Sequence, residues 1–179
     1  MNFENYTINS RNAINLSASI AEENNHQKIM SSHLLMALIA EGSDSVVLPA
    51  LEKMEVPMGA LRGQLSQDLE KYPKVTGGQG GQASREFQDI LKGADTERGN
   101  FGDDYVSTEH LLLGILESKT TAGDALRGNR VIRDLLLAVL REIRGNTTVT
   151  SENPEGTYRT LERYTHDLEI HVMPFIFRK

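Results

Sequence analysis

The sequence predicts an all-α fold in which two tandem repeats, of about four helices each, pack as one pseudo-twofold helical domain. Three observations support this prediction. Apolar residues recur near helical spacing along most of the chain. The segment IMSSHLLMALI at 29–39 returns as VSTEHLLLGIL at 106–116. The two halves also align without a gap through this segment and the helix before it, which is the pattern of an internal duplication.

Composition limits the classes of function. The chain has 179 residues, of which 39% are hydrophobic, enough for one domain or for two small domains that share a core. Its net charge of −6 argues against nucleic acid and against anionic membranes, because both attract basic patches. The absence of cysteine excludes disulfides, thiolate catalysis and Cys-ligated zinc, and it fits a cytoplasmic protein. No apolar run approaches the roughly 20 residues of a membrane helix.

The first predicted repeat covers residues 1–75. Its first helix starts at Thr7, whose hydroxyl can cap it, and ends at Asn24-Asn25, because asparagine tolerates the left-handed conformation that ends helices. In the repeated segment, either Ser31 or Ser32 can cap the second helix.

Two further helices complete the first repeat. A short helix spans about Val46 to Lys53, and Pro57 suits the first turn of the next one. One face of that last helix carries Leu61, Leu65, Leu69 and Tyr72. Pro73 ends it.

Residues 76–83 are predicted to be a flexible linker, because four glycines occur in the five positions 77–81. The alternative is a loop that cradles phosphate. A Walker A loop requires a lysine followed by serine or threonine after the glycines, and the chain lacks that pair here.

The second predicted repeat covers residues 84–149. Ser84 begins a helix that carries Phe87, Ile90, Leu91 and Ala94. Ser107 or Thr108 caps the next helix, and a short turn contains Ala125 and Leu126. The last helix runs from about Val131 to Arg144. Its apolar positions are Ile132, Leu135, Leu136, Val139, Leu140 and Ile143.

The end of the chain differs in composition from the repeats. Residues 150–171 are predicted to be a polar linker, Ser151 to Gly156, followed by a helix from Tyr158 to Glu169. Residues 172–179 form an apolar tail with no partner in the preceding pattern.

The segments SSHLL at 31–35 and TEHLL at 108–112 resemble the Clp N-terminal repeat, found in the N-domains of Clp-type AAA+ unfoldases. The stretches MNFENYT at 1–7, YPKV at 72–75 and LERYTHDL at 161–168 are most similar to the ClpB disaggregase chaperones. The resemblance covers residues 1 to about 171. It implies that an ATPase module, with its ATP and magnesium, is missing from this chain, so we expect no cofactor here. The chain is then either a cut fragment or a truncated gene product, and the unusual tail from about His171 favours truncation or an artificial end.

The resemblance also implies candidate sites. Thr7, Asp103 and Glu109 stand where ClpB-type N-domains have polar residues implicated in engaging unfolded substrate. The alternative is that Thr7 and Glu109 serve helix N-termini and that Asp103 is a solvated loop acid. The first repeat departs from the family pattern at Ser32, where glutamate is usual, so the second repeat is the better candidate for the functional face.

A chaperone of this type needs an exposed apolar groove. The residues proposed for its lining are Leu91, Phe101, Tyr105, Val106, Leu111 and Leu112, with Ile8 from the first helix; among these, Tyr105, Leu91 and Leu111 are the substrate-binding candidates. The alternative for each one is plain core.

Catalysis and metal binding have little support. His33 and His110 lack cysteines and a His-x-x-x-His spacing, which favours packing and hydrogen-bonding roles. Asp103, Asp104 and Glu109 are acids without an accompanying nucleophile. We therefore expect no enzyme, and an all-helical hydrolase is the class of function that these observations disfavour.

The function expected from the resemblance is substrate engagement. The domain would bind exposed apolar segments of unfolded or aggregated polypeptides and pass them to the ATP-driven ring of a Clp hexamer. Docking of a folded adaptor protein, as in Clp protease unfoldases, is the alternative. The isolated domain is expected to be a cytoplasmic monomer with neither nucleic acid nor membrane as partner.

Overall fold

The structure is a computed structural model that describes residues 3–40, 45–75, 81–145 and 147–154. Eight helices and two short strands lie within these residues, which confirms the predicted all-α class. The elements in chain order are α1 (Ile8–Glu23), β1 (Lys28–Ile29), α2 (Ser31–Leu38), α3 (Val47–Lys53), α4 (Met58–Glu70), β2 (Gln82–Ala83), α5 (Arg85–Phe101), α6 (Thr108–Glu117), α7 (Thr121–Gly128) and α8 (Arg133–Arg144).

The first helix of each half begins at a hydroxyl cap, as predicted. Thr7 Oγ1 accepts a hydrogen bond of 3.2 Å from the Ser10 N–H, and Ser84 Oγ accepts one of 3.1 Å from the Phe87 N–H. Each bond satisfies one of the backbone donors that a helix leaves free at its start. The predicted end of α1 is also confirmed, since Asn25 takes the left-handed conformation, with φ of 57°.

The second helix of each half begins with a histidine in the third position. His33 Nδ1 accepts from the Met30 N–H at 2.9 Å, and His110 Nδ1 accepts from the Ser107 N–H at 3.0 Å. This is the return bond of a capping box, which glutamate or glutamine usually makes. The prediction that His33 and His110 are hydrogen-bonding residues is confirmed.

The predicted cap residue is right for α6 and wrong for α2. Ser107 is the N-cap of α6, but Met30 occupies that position in α2, and Ser31 and Ser32 lie inside its first turn. A serine cap is unnecessary there, because the Ser31 N–H donates to Glu86 Oε1 of α5 at 2.7 Å. A glutamate from the second half of the chain thus accepts one of the free backbone N–H groups at the start of α2.

The core lies around α2 and α6, which contact each other at the centre of the molecule. Every α6 residue from Thr108 to Leu116 is buried, and in α2 only Met36 is not. A helix that is enclosed on all sides tolerates an apolar sequence on every face, and both helices have one.

Other helices of the first half also pack on helices of the second half. The α3 helix of the first half packs on α8 of the second, and α7 packs on α4. The short parallel ladder joins Ile29 to Ala83, and an isolated parallel bridge joins Tyr6 to Val106. These two pairs occupy corresponding positions in the aligned halves. Such reciprocal contacts are consistent with a pseudo-twofold arrangement of tandem repeats.

The backbone conformations follow the same correspondence. Asn25 and Gly102, which align, both have positive φ, at 57° and 70°. Glu55 and Arg130, which also align, have φ of 56° and 66°. Non-glycine residues seldom adopt this conformation, so its occurrence at matched positions supports the alignment of the halves independently of side-chain identity.

Two predictions about α7 and α4 need correction. The predicted turn at Ala125 and Leu126 is the helix α7, which is capped by Thr120. Its start packs so tightly that a Cβ on Gly123 would lie 2.5 Å from the Ser118 carbonyl oxygen. Two glycines in eight residues hid this helix from propensity arguments. Pro57 occupies the N-cap position of α4 rather than its first turn.

The α8 stripe is narrower than predicted. Leu136, Val139 and Leu140 are buried, but Ile132 and Leu135 are 60% and 47% exposed. The helix begins only at Arg133, so Ile132 is its N-cap.

Both predicted linkers are partly structured. Gln82 and Ala83 of the glycine-rich segment form β2. In the second linker, Glu152 lies against the start of α1: its carbonyl accepts from the Ile8 N–H at 2.8 Å, and its carboxylate lies 2.6 Å from Arg11. The predicted helix at 158–169 and the tail at 172–179 lie outside the described residues. Within the described part of the chain, no helix combines the length and apolarity that crossing a membrane demands.

Candidate functional site

The polar residues predicted as the site are buried. Thr7 and Glu109 are fully buried and Asp103 is 3% exposed. Thr7 is the cap of α1, and its hydroxyl also donates to Ser10 Oγ at 3.0 Å, so the capping alternative is confirmed for this residue. The alternative for Asp103, a loop acid in solvent, is wrong.

Asp103 is the centre of a buried ionic cluster that also contains Glu109, His110 and Arg144, the Asp103 cluster. Arg144 Nη2 lies 2.8 Å from both carboxylate oxygens of Asp103, and Arg144 Nη1 lies 3.4 Å from Glu109 Oε1. His110 Nε2 lies 3.0 Å from Asp103 Oδ2. The Val149 N–H donates to Asp103 Oδ1 at 2.8 Å. One arginine thus compensates two buried carboxylates.

The sequence places these groups through short local signals. Gly102, with its positive φ, ends α5 and turns Asp103 inward. Glu109 and His110 lie in the first turn of α6, and Arg144 is the last residue of α8. The ring of Phe101 closes the cluster, with its centroid 5.1 Å from that of His110 and 5.0 Å from Arg144 Cζ. The cluster therefore joins α5, α6, α8 and the segment at 147–149.

The charge of Asp103 is strongly favoured. Burial alone would raise its pKa, but the hydrogen bonds from His110, Arg144 and the Val149 N–H outweigh burial and lower the pKa to about 2. Asp103 is therefore ionised at neutral pH. A buried, paired carboxylate of this kind positions neighbouring elements rather than presenting itself to a ligand.

The apolar candidates separate into core and groove. Leu111 is fully buried, as are Val106 and Leu112, so these predicted groove residues belong to the core. Tyr105 is half-buried in the loop between α5 and α6. Leu91 is only 6% exposed, but it lines a groove.

That groove, the N-terminal groove, has a volume of about 670 Å³ and lies between the start of the chain and α5. The residues that line it are Phe3, Asn5, Tyr6, Gln88, Leu91, Lys92, Asp95 and Thr96. The rings of Phe3 and Tyr6 meet edge to face, with centroids 5.1 Å apart. Burial and the Asp95 carboxylate raise the pKa of Tyr6, which therefore carries a neutral hydroxyl. The groove offers an apolar floor with polar groups along its edges.

A second groove of about 400 Å³, the α8 groove, runs between α5 and α8 beside the Asp103 cluster. Phe101 and Leu137 give it apolar surface. Its cations are largely compensated within the chain: Arg133 holds both carboxylate oxygens of Glu97 at 2.9 Å, which lowers the pKa of Glu97. This pairing reduces the attraction of the groove for an anionic ligand.

The sequence reasoning missed Arg144, Phe3 and Tyr6. Arg144 had a detectable signal, because it follows Leu136 and Leu140 at helical spacing and so falls on the buried face of α8. A charge at such a position calls for a buried partner of opposite charge. Phe3 and Tyr6 precede the first helix, where periodicity carries no information about burial.

Comparisons with known proteins agree with this architecture. Residues 5–129 match the family model described as the Clp repeat (R) N-terminal domain. The chaperone protein ClpB of Clostridium tetani (strain Massachusetts / E88) is 34% identical over 173 residues, which covers 94% of this chain and 20% of that protein. The chaperone protein ClpB of Bacillus anthracis is 34% identical over 177 residues, covering 96% and 20%. The chain thus spans about a fifth of the length of these curated relatives.

Solved structures share the fold. The Hsp104 N-terminal domain from Candida albicans superposes with a TM-score of 0.72 at 20% identity, covering 85% of this chain and 99% of that one. The N-terminal domain (1-163) of the ClpV1 ATPase from the E.coli EAEC Sci1 T6SS gives a TM-score of 0.68 at 17% identity, covering 84% and 90%. At these identities the likeness concerns the fold alone.

Proposed function

The chain belongs to the family of Clp repeat N-terminal domains, and from this premise we propose that it is the substrate-engagement domain of a ClpB-type protein disaggregase. Its ligands would be exposed apolar segments of unfolded or aggregated polypeptides, handed on to the ATP-driven ring of a Clp hexamer. The sequence identity of 34% with ClpB chaperones, along nearly the whole chain, supports a ClpB-type parent protein.

The N-terminal groove is the observation that carries the proposal. Phe3, Tyr6 and Leu91 provide apolar surface without a demanding shape, and the polar side chains at the edges can accept or donate hydrogen bonds to an extended backbone. A ligand-tolerant groove suits a domain that meets many sequences. Its binding must also be weak, because a domain that passes on its cargo has to release it.

The residues of the Asp103 cluster take a supporting part in this proposal. Asp103 and Glu109 hold the end of α8 and the loop after α5 in place, and Thr7 holds the start of α1 beside the N-terminal groove. They would thus affect binding by positioning the groove walls. Leu111 would act in the same way from the core.

The proposal is tested by titrating the domain with an unfolded casein and following its amide resonances. We expect shifts at residues 3–6 and 88–96, and binding weakened about tenfold, or 1.4 kcal/mol, by Phe3→Ala. Ile132→Ala is the matched control, because it removes an apolar side chain that is 60% exposed and does not line the groove. Equal losses in the two variants, or no shifts along the groove, would contradict the proposal.

The same titration distinguishes substrate engagement from the adaptor-docking alternative. A domain that ignores casein but binds one folded protein at the groove would be an adaptor-docking domain. The remaining expectations stay proposals: ATP and magnesium act in other modules of the parent protein, and the isolated domain is a monomer that works in the cytoplasm. Sedimentation of the purified chain tests the monomer.

A further inference from the structure

His26 and His33 form a buried pair at the junction between the two halves. The first junction consists of residues 25–30, which pair with 72–75 and with 81–84. His26 forms an antiparallel bridge with Lys74, the Val75 N–H donates to the Asn25 carbonyl at 2.9 Å, and the Ser84 N–H donates to the Ile29 carbonyl at 3.1 Å. His26 is 1% exposed and His33 is fully buried.

The hydrogen bonds of the pair require neutral rings. The Met30 N–H donates to His33 Nδ1 at 2.9 Å, so the proton of a neutral His33 is on Nε2. That nitrogen lies 2.8 Å from His26 Nδ1, which must therefore accept. A proton added to His33 Nδ1 breaks the bond that caps α2. A proton added to His26 Nδ1 makes two N–H groups face each other.

Within the described part of the chain, neither ring has a carboxylate as its partner. Tyr72 packs on both rings, with centroids 5.7 Å and 5.5 Å away, and it donates its hydroxyl hydrogen bond to Ser32 Oγ. Lys74 adds a like charge. Among the acids of the packed helices, Glu86 of α5 accepts from the Ser31 N–H, Asp68 of α4 pairs with Lys71, and Asp124 of α7 pairs with Arg127. Glu22 of α1 lies beside Gly81 at the same junction.

The second half provides a natural comparison. In the aligned halves, Asp103 stands at the position of His26, and His110 at that of His33. The second junction, where residues 102–107 pair with 5–7, therefore has a histidine against a carboxylate, with Arg144 beside them. His110 Nε2 thus faces a negative charge, whereas His33 Nε2 faces another imidazole.

We infer that the His26–His33 pair is an acid-sensitive latch, whose protonation opens the first junction and loosens the contact between the two halves. The second junction keeps its pairing over the same pH range. The domain thus contains one junction that responds to mild acid and one that does not.

The direction of the titration agrees with this geometry. Burial and the neighbouring His26 lower the pKa of His33 to about 4, against the smaller opposing effect of the Met30 backbone. Burial and Lys74 also lower the pKa of His26, and a hydrogen bond with the Leu69 backbone partly offsets them. Because the open form has ordinary histidines with a pKa near 6.5, it binds protons more tightly. Opening therefore increases as the pH falls from about 6.5 to about 4.

Native-state hydrogen exchange on the whole chain tests the latch, with rates corrected for intrinsic exchange at each pH. From pH 7 to pH 5 we expect the opening equilibrium at the amides of Val75 and Ser84 to rise about 20-fold, as the His33 shift requires. In the second junction, the amides of Thr7, which matches Ser84, and of Val106 should change less than about threefold. An equal rise at both junctions, or none at the first, overturns the inference.

Variants locate the effect. His26→Asp copies the second junction and should abolish the acid response, while His33→Gln keeps a cap acceptor without a titrating ring and should reduce it below about threefold. Gln27→Ala is the matched control at an exposed neighbour and should keep the full response. A full response in His26→Asp would contradict the latch. If either variant fails to fold, the comparison of the two junctions in the unmodified chain still decides the question.

Discussion

At the scale of single residues, the Asp103 cluster shows how buried charge is tolerated. Desolvation of two carboxylates is costly, and Arg144 offsets part of that cost because it lies against both of them and against the ring of Phe101. The two carboxylates lie in one part of the chain and Arg144 in another, so the cluster is a tertiary link. Its contribution is therefore most visible when one partner is removed.

The first prediction concerns Arg144. Arg144→Ala should lower the free energy of unfolding by about 3–5 kcal/mol, because it leaves Asp103 and Glu109 buried without their cation. Urea unfolding measures the change. Arg141→Ala is the control, since Arg141 is exposed one turn earlier in α8, and its effect should stay within about 0.5 kcal/mol. Similar values for the two variants would show that Asp103 and Glu109 do not depend on Arg144 for compensation of their charge.

At the scale of elements, α5 and α6 pack unusually closely. A Cβ at Gly114 of α6 would lie 2.7 Å from the Ile90 carbonyl oxygen and 3.1 Å from the Ala94 nitrogen, both backbone atoms of α5. Backbone cannot move aside as a flexible side chain can. Gly114 thus sets the distance between these two helices, and through α6 it affects the whole core.

The second prediction follows from this contact. Gly114→Ala should destabilise the domain by about 1–3 kcal/mol, although alanine is the better helix former, because the helices must separate. Gly63→Ala in α4 is the matched control, since a Cβ there meets no atom within 4 Å, and it should stabilise the domain by about 0.5–1 kcal/mol. Thermal unfolding of both variants checks the opposite signs. A stabilised Gly114→Ala would show that α5 and α6 can move apart freely.

At the scale of the whole molecule, the packing of helices from one half on helices of the other makes the two halves interdependent. The α3 helix of the first half rests on α8, and α7 rests on α4. Each half alone would expose the faces that these contacts cover, and about 70 residues offer little core to compensate. We therefore expect the two halves to fold together as one unit.

The third prediction tests this dependence. Fragments 1–75 and 84–149, expressed separately, should lack a cooperative unfolding transition, and an equimolar mixture should recover one. Circular dichroism during thermal denaturation provides the measurement, with the intact chain as reference. A separate fragment that unfolds cooperatively would show that its half is a domain in its own right.

Much of the architecture was predictable because it depends on local signals. Thr7 and Ser84 cap helices through bonds that span three residues, and the alternation of apolar positions reports the helical face directly. The repeat strengthened the prediction, because two aligned segments supported the same helix assignment. Helix α7 was not predicted, because Gly123 lowers its helix propensity while meeting a close approach to the Ser118 and Ile115 carbonyl oxygens.

The candidate site was less predictable. Leu91 was correctly placed beside a groove, but Leu111 proved to be core, and Asp103 proved to be buried rather than solvated. No local feature distinguishes a loop carboxylate in water from one that faces an arginine. The role of His26 was not predicted for the same reason: only the fold brings it beside His33.

The sequence by itself determined the helical class, the hydroxyl-capped starts of α1 and α5 and the membership of the Clp repeat family, since each is recorded in short-range periodicity or in residue identity. Only the tertiary structure decided which polar residues are buried, which helices of the two halves pack together and where the grooves lie. The physical reason is the range of the interactions. Asp103 and Arg144 meet across 41 residues of chain, and burial at that distance depends on how every intervening element packs.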